Sequence, residues 1–147
     1  MCHRILQVVF IIVLVVTTDA NLTASATTDF PALSSSAKCA APGTAREALQ
    51  NSAAVFIGKI NELSESDDVI TLKFNVERYW KGNKSKTQTV IVNTGPRYSP
   101  SLTVGERYIV YAYQDSNGQL TFGRCSRTKL AEYADDDIRA LGEGKKP

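Results

Sequence analysis

Histidine is almost missing from this chain: His3 is the only one. Cysteine is scarce as well, at positions 2, 39 and 125. Both absences matter because of where the first residues lead. Met1 to Arg4 form a short, weakly basic start, and Ile5 to Val16 is apolar except for Gln7. Thr17, Thr18, Asp19 and Ala20 follow as a small-residue exit. That order describes a secretory signal peptide over residues 1–20, cleaved after Ala20, with Ala24-Ser25-Ala26 as a second small-x-small site. A retained anchor is the other reading, but the apolar run is shorter than the roughly 20 residues that span a bilayer. Cleavage removes Cys2 and His3. A mature chain without histidine has no Ser–His or Cys–His nucleophile pair and no histidine zinc site. Two cysteines cannot build a Cys₃ or Cys₄ zinc site either. Only carboxylate chemistry survives, and no paired-carboxylate motif is present, so neither catalysis nor a cofactor is expected. A second long apolar run is missing, so no membrane contact is expected after signal removal. The net charge of +2 is no basic footprint for nucleic acid.

Two cysteines remain, Cys39 and Cys125, an even number in an oxidising compartment. One disulfide between them is expected. It closes a loop of about 85 residues, worth roughly 4–5 kcal/mol in the chain-entropy model. Residues 21–37 are rich in Ser, Thr and Ala without a period and read as a disordered lead. The folded domain is expected over 38–142, with a flexible tail at 143–147. Asn21-Leu22-Thr23 and Asn83-Lys84-Ser85 match the glycosylation sequon, and Asn83 lies in an expected turn.

Within the domain, Thr44 and Glu47 make a capping box for a helix over Ala45 to about Asn51. Ala54 to Ile60 is β-rich, with Gly58 marking a bend or bulge. Glu62 to Asp68 reads as a polar, acidic loop. From Val69 to Trp80 the pattern alternates, with Ile70, Leu72, Phe74 and Val76 on one face. A third strand centres on Val90, Ile91 and Val92, and a fourth runs from Arg107 to Tyr113. Asn117-Gly118 marks a hairpin into a fifth strand over Gln119 to Gly123. Leu130 to Leu141 reads as a closing helix, with Leu130, Ala134, Ile138 and Leu141 on one face. These pieces predict a mainly β fold, an OB-fold-like five-stranded antiparallel barrel with a short N-terminal helix and a C-terminal helix. An immunoglobulin-like sandwich needs about seven strands and fits poorly.

Five stretches, in order, carry a likeness to a known group: Cys39-Ala40-Ala41-Pro42, Ala53 to Lys59, Val76 to Gly82, Val104 to Ala112, and Cys125 to Thr128. With this order and spacing, residues 39–141 resemble the netrin-like superfamily and its tissue inhibitor of metalloproteinases branch, most of all short single-domain members. The resemblance implies an OB-type barrel. It also implies an inhibitory edge in which the α-amino group and carbonyl of the first cysteine of a Cys-x-Cys end chelate a protease zinc, displacing the catalytic water. Here that edge falls on Lys38, Cys39, Ala40 and Ala41, and Ala37 stands where the first cysteine belongs. Its usual disulfide partner is absent too, since that region reads Arg97-Tyr98-Ser99-Pro100. The expected function is a secreted inhibitor of zinc metalloendopeptidases, weakened by the missing first cysteine. The alternative is a non-inhibitory netrin-like module that binds an extracellular matrix protein or a sulfated glycan.

Other features have plainer readings. Trp80 reads as core packing at the end of a strand. Tyr108, Tyr111 and Tyr113 form a stacking platform only if they share a face, and alternation turns half of them inward. Glu62, Glu65, Asp67 and Asp68 lack EF-hand spacing and read as solvated rather than calcium-binding. Asp135, Asp136 and Asp137 read as a polar helix face. Lys84, Lys86, Arg97, Arg124, Arg127 and Lys129 are the candidate basic patch.

Overall fold

The computed structural model describes Cys39 and residues 43–147. Lys38, Ala40, Ala41 and Asn21, together with the signal segment and the lead, lie outside the described residues.

The helix α1 (Ala45–Asn51) starts where its capping box places it. The Glu47 amide donates to Thr44 Oγ1 at 3.2 Å, and the Thr44 amide donates to Glu47 Oε2 at 2.6 Å. Two of the helix's four orphan amides are thereby satisfied. Five antiparallel strands follow: β1 (Ala54–Ser66), β2 (Val69–Lys81), β3 (Thr87–Asn93), β4 (Arg107–Gln114) and β5 (Leu120–Thr121). Their order in the sheet is β3-β2-β1-β4-β5. The sheet curls until β3 lies beside β5, giving a nearly closed barrel. A two-residue strand, β6 (Lys129–Leu130), shares the outer edge of β4 with β5. A 3₁₀ turn (Ala131–Tyr133) then leads into α2 (Asp135–Leu141).

Strands β1 and β4 are buried on both faces, and this organises the molecule. Ala54, Phe56 and Ile60 point into the barrel with Tyr108, Val110 and Ala112. Val55, Ile57, Ile109 and Tyr111 point the other way, onto Ala48, Leu49, Ala134, Ile138 and Leu141 of the helices. One pair of strands therefore separates two cores. The expected inward set of β2 (Ile70, Leu72, Phe74 and Val76) is buried in the barrel, where Phe74 meets Phe56 edge to face at 5.4 Å. Beyond Val76 the alternation slips by one. A register shift at Ile57/Gly58 leaves Glu77 as an extra residue, so Tyr79 turns inward and Trp80 faces the helical core.

Three expectations need correction. Glu62 to Ser66 are strand, not loop: β1 continues to a turn at Asp67 and Asp68, because Leu63 alternates with Glu62 and Ser64 and pairs with Leu72. Leu130 does not belong to the closing helix. Its backbone pairs with Tyr108 and its side chain packs on the barrel core, so α2 begins only at Asp135. The tail expected to be loose is pinned. Tyr79 and Lys145 exchange two backbone hydrogen bonds of 2.8 Å, because β1 covers only one edge of β2 there.

Gly58 occupies an inward position of β1 where a side chain has no room. A Cβ there would stand 2.9 Å from the Asn75 carbonyl oxygen and 3.2 Å from Phe74 Cβ. Gly58→Ala is expected to cost about 1–3 kcal/mol by forcing backbone shifts. Chemical denaturation of the variant checks this, and unchanged stability would contradict the bulge geometry.

Candidate functional site

Cys39 and Cys125 form the expected disulfide. The bond ties the residue just ahead of α1 to the segment after β5. That segment, residues 123–129, acts as a strap across the end of β4. Its fold is locally determined: the Ser126 amide bonds to the Gly123 carbonyl, and the Thr128 amide donates to Ser126 Oγ. Thr128 Oγ1 in turn accepts from the Tyr111 amide at 3.0 Å, which satisfies a strand donor on the edge of β4 left open between β5 and β6.

The strap carries two cations inward. Arg127 and Lys129 are two residues apart, so they share a face of the extended chain. Both reach Asp137, whose side chain is fully buried. Arg127 donates to Asp137 Oδ1 through Nε at 3.0 Å and again through Nη2. Lys129 Nζ lies 2.6 Å from Oδ2, off the hydrogen-bonding direction, so the contact there is ionic. Arg127 Nη1 also donates to the Gly43 carbonyl at 2.6 Å. The edge of the domain is thus tethered twice, at Cys39 by the disulfide and at Gly43 by Arg127. The reading of Asp135, Asp136 and Asp137 as one polar face holds for the first two only. Asp137 sits three residues after Ala134 and four before Leu141, on the buried stripe of the helix. Its position on that stripe, with Arg127 and Lys129 upstream, was the signal available for this cluster.

Other predicted features separate. Asn83 is exposed in the β2–β3 connection, as a glycan acceptor requires. Trp80 packs on the helical core, and its Nε1 donates to the Gly142 carbonyl at 2.9 Å. Lys81 caps the end of α1, donating to the carbonyls of Leu49 and Gln50 at 3.1 and 2.8 Å. The three tyrosines of β4 form no common platform: Tyr108 lies in the barrel, Tyr111 in the helical core, and Tyr113 is about half exposed. Glu62 pairs with Lys73 at 2.8 Å. Among the described residues, no group of three or more acidic, cysteine or histidine side chains is placed to hold a metal ion. Nor is any described helix long and apolar enough to cross a membrane. Of the six candidate patch cations, Arg127 and Lys129 are drawn onto Asp137, while Lys84, Lys86, Arg97 and Arg124 are exposed.

A cavity of about 470 Å³ opens between α1, the end of β4 and the strap. Ala48, Tyr111, Tyr113, Arg124, Cys125 and Arg127 contribute to its walls. Tyr111 is 3% exposed, and its hydroxyl is buried without a hydrogen-bond partner. Burial, and then the charge of Asp137, push its phenol up to about 12. Tyr108 is likewise pushed up to about 12, first by burial and then by the hydrogen bond it donates to Glu106 at 2.8 Å.

No family model matches the chain, and no curated protein matches it. Among solved structures, it is similar to a murine DNA binding protein bound with ds DNA, at 19% identity and a TM-score of 0.35. That match covers 60% of this chain and 47% of the other, and carries no argument about function.

Two consequences follow from this geometry. Asp137→Asn leaves two inward cations without their counter-charge, and an expected loss of about 3–5 kcal/mol is measurable by denaturant unfolding. A loss below 1 kcal/mol would mean the cluster is not buried as described. The tyrosines set the alkaline limit. Their raised native values favour the neutral phenol, so this stabilisation is complete below pH ~10 and is lost as pH climbs toward 12. Each contributes on the order of 2 kcal/mol. An ultraviolet titration should show two phenols ionising only with unfolding, and six reversible titrations in the native state would contradict this.

Proposed function

We propose that the chain is a secreted netrin-like domain that acts by binding, and that its Cys39 edge engages a zinc metalloendopeptidase as an inhibitor. The observation that supports this reading is the double tether of that edge, by the disulfide at Cys39 and by Arg127 at Gly43. A pre-ordered edge loses little conformational freedom on docking, which favours binding. The disulfide fits an oxidising compartment and hence secretion. The resemblance of residues 39–141 supplies the partner class, with Lys38, Cys39, Ala40 and Ala41 as the contacting residues. Absence of catalysis rests on the sequence, whose single histidine falls inside the proposed signal peptide.

A second reading keeps the fold and drops the protease: a module for another extracellular protein or a sulfated glycan. Exposure of Lys84, Lys86 and Arg124 favours it, while the engagement of Arg127 and Lys129 with Asp137 removes two cations from the glycan form.

Intact mass of the secreted, deglycosylated protein, followed by titration against a panel of secreted zinc metalloendopeptidases, tests the proposal. The expected outcome is stoichiometric inhibition of at least one enzyme by the oxidised protein, lost on reduction. A mature start at Lys38 would assign the effect to a free amine one residue before Cys39. A start at Asn21 or Ala26 with no inhibition across the panel would overturn the inhibitor reading in favour of the module.

A further inference from the structure

The β2–β3 connection carries a motif that the proposed binding edge leaves unused. Gly82, at φ +100°, turns the chain off the end of β2, and Asn83 to Ser85 then belong to no strand or helix. Asn83-Lys84-Ser85 is an acceptor sequon with no proline in its middle position. The exposed Asn83 side chain makes no hydrogen bond; only its backbone carbonyl is engaged, by Gln88 Nε2 at 3.4 Å. Ser85 Oγ accepts from the Thr87 amide at 3.3 Å, which leaves the hydroxyl proton free. A cavity of about 280 Å³ opens beside Asn83. Ala53, Ala54 and Leu120 supply apolar walls, and Gln88 and Gln114 bring two side-chain amides. Each amide donates one long bond through Nε2, Gln88 to the Asn83 carbonyl and Gln114 to the Gly118 carbonyl at 3.3 Å. Both amide oxygens are left without a donor.

We propose that Asn83 carries an N-linked oligosaccharide whose first N-acetylglucosamine seats in this cavity. An acetamido N–H and a ring hydroxyl supply the donors that the Gln88 and Gln114 oxygens lack, and the acetamido methyl meets Leu120 and Ala53. In the transfer, Nδ2 of Asn83 bonds the anomeric carbon of a lipid pyrophosphate-linked oligosaccharide. The anomeric C–O bond breaks, the lipid pyrophosphate leaves, and Nδ2 gives up one proton. The inference rests on the proposed secretion, because donor and transferase are met only in a secretory lumen. Lys81 binds the Leu49 and Gln50 carbonyls, so Asn83 lies toward the carbonyl end of α1, whereas Cys39 and Gly43 precede its amino end. Seven residues at about 1.5 Å each set those two ends roughly 10 Å apart. The glycan therefore leaves the Cys39 edge open and covers the neighbouring Lys84 and Lys86. It favours the inhibitor over capture of a sulfated glycan by those two lysines.

Expression of the full chain in cultured mammalian cells tests it, with a mannosidase inhibitor present to keep the glycan cleavable by endoglycosidase. The intact mass of the secreted protein should fall on peptide-N-glycosidase digestion, which in heavy-oxygen water turns the modified Asn83 into a labelled aspartate. Asn83→Gln and Ser85→Ala should each abolish the label at position 83, and Asn21→Gln should leave it. Endoglycosidase trimming to a single N-acetylglucosamine gives the second readout. The trimmed protein should melt about 3–6 °C above Asn83→Gln, the shift of one net hydrogen bond in a domain of this size. That difference should shrink by half or more in a Gln114→Ala background. The trimmed protein should also need more salt than the fully glycosylated one to leave a sulfonate cation exchanger, since Lys84 and Lys86 are uncovered. A secreted chain unmodified at position 83, a trimmed protein melting with Asn83→Gln, or one eluting with the fully glycosylated form would each overturn the inference alone. A chain kept in the cytosol with residues 1–20 attached would overturn the proposed secretion, and the inference with it.

Discussion

A fully buried carboxylate between two inward cations governs how this molecule closes. Asp137 cannot occupy the helical core alone, since an isolated charge there costs several kcal/mol. Arg127 and Lys129 must therefore arrive together, and they arrive only if the strap lies across β4 in one register. That register seats Thr128 under the Tyr111 amide, puts Arg127 on the Gly43 carbonyl and brings Cys125 to Cys39. One ionic cluster thus fixes α2, the strap and the edge ahead of α1 relative to the barrel. A hydrophobic residue of similar size could supply burial there, but not the directional bonds that select this arrangement.

The barrel gives the cluster something to close upon. Because β1 and β4 are apolar on both faces, they form a wall with a core on either side. A half-buried sheet would expose Val55, Ile57 and Ile109, and two short helices remove them from water. Seven-residue helices are too short to persist alone. Their stability comes from this packing, from the Thr44–Glu47 capping box and from Lys81 at the carbonyl end of α1. The same wall presents Tyr111 and Tyr113 toward the cavity, so the candidate site is a by-product of two-sided burial at the end of β4.

Much of this was legible in the sequence. Period-two apolar runs gave the strands, the capping box gave α1, and the even cysteine count gave the disulfide. What escaped were features in which tertiary pairing overrides local pattern. The acidic stretch from Glu62 reads as loop because it is polar, yet cross-strand pairing with Lys73, Leu72 and Ile70 makes it strand. Leu130 has the spacing of a helical face but is captured by Tyr108 in a two-residue strand. Asp137 looks solvent-facing among three consecutive aspartates, and only its place between Ala134 and Leu141 betrays burial. The edge residues Lys38, Ala40 and Ala41 rest on sequence resemblance, and the structure contributes the anchor at Cys39.

The disulfide and the Asp137 cluster are two fastenings of one strap. A double-mutant cycle measures that directly, by the unfolding free energies of the native chain, Asp137→Asn, the paired Cys39→Ser and Cys125→Ser variant, and all three substitutions combined. An interaction energy above about 1 kcal/mol is expected, because releasing one fastening already frees what the other holds. Losses that add to within roughly 0.5 kcal/mol would show two independent sites and contradict it.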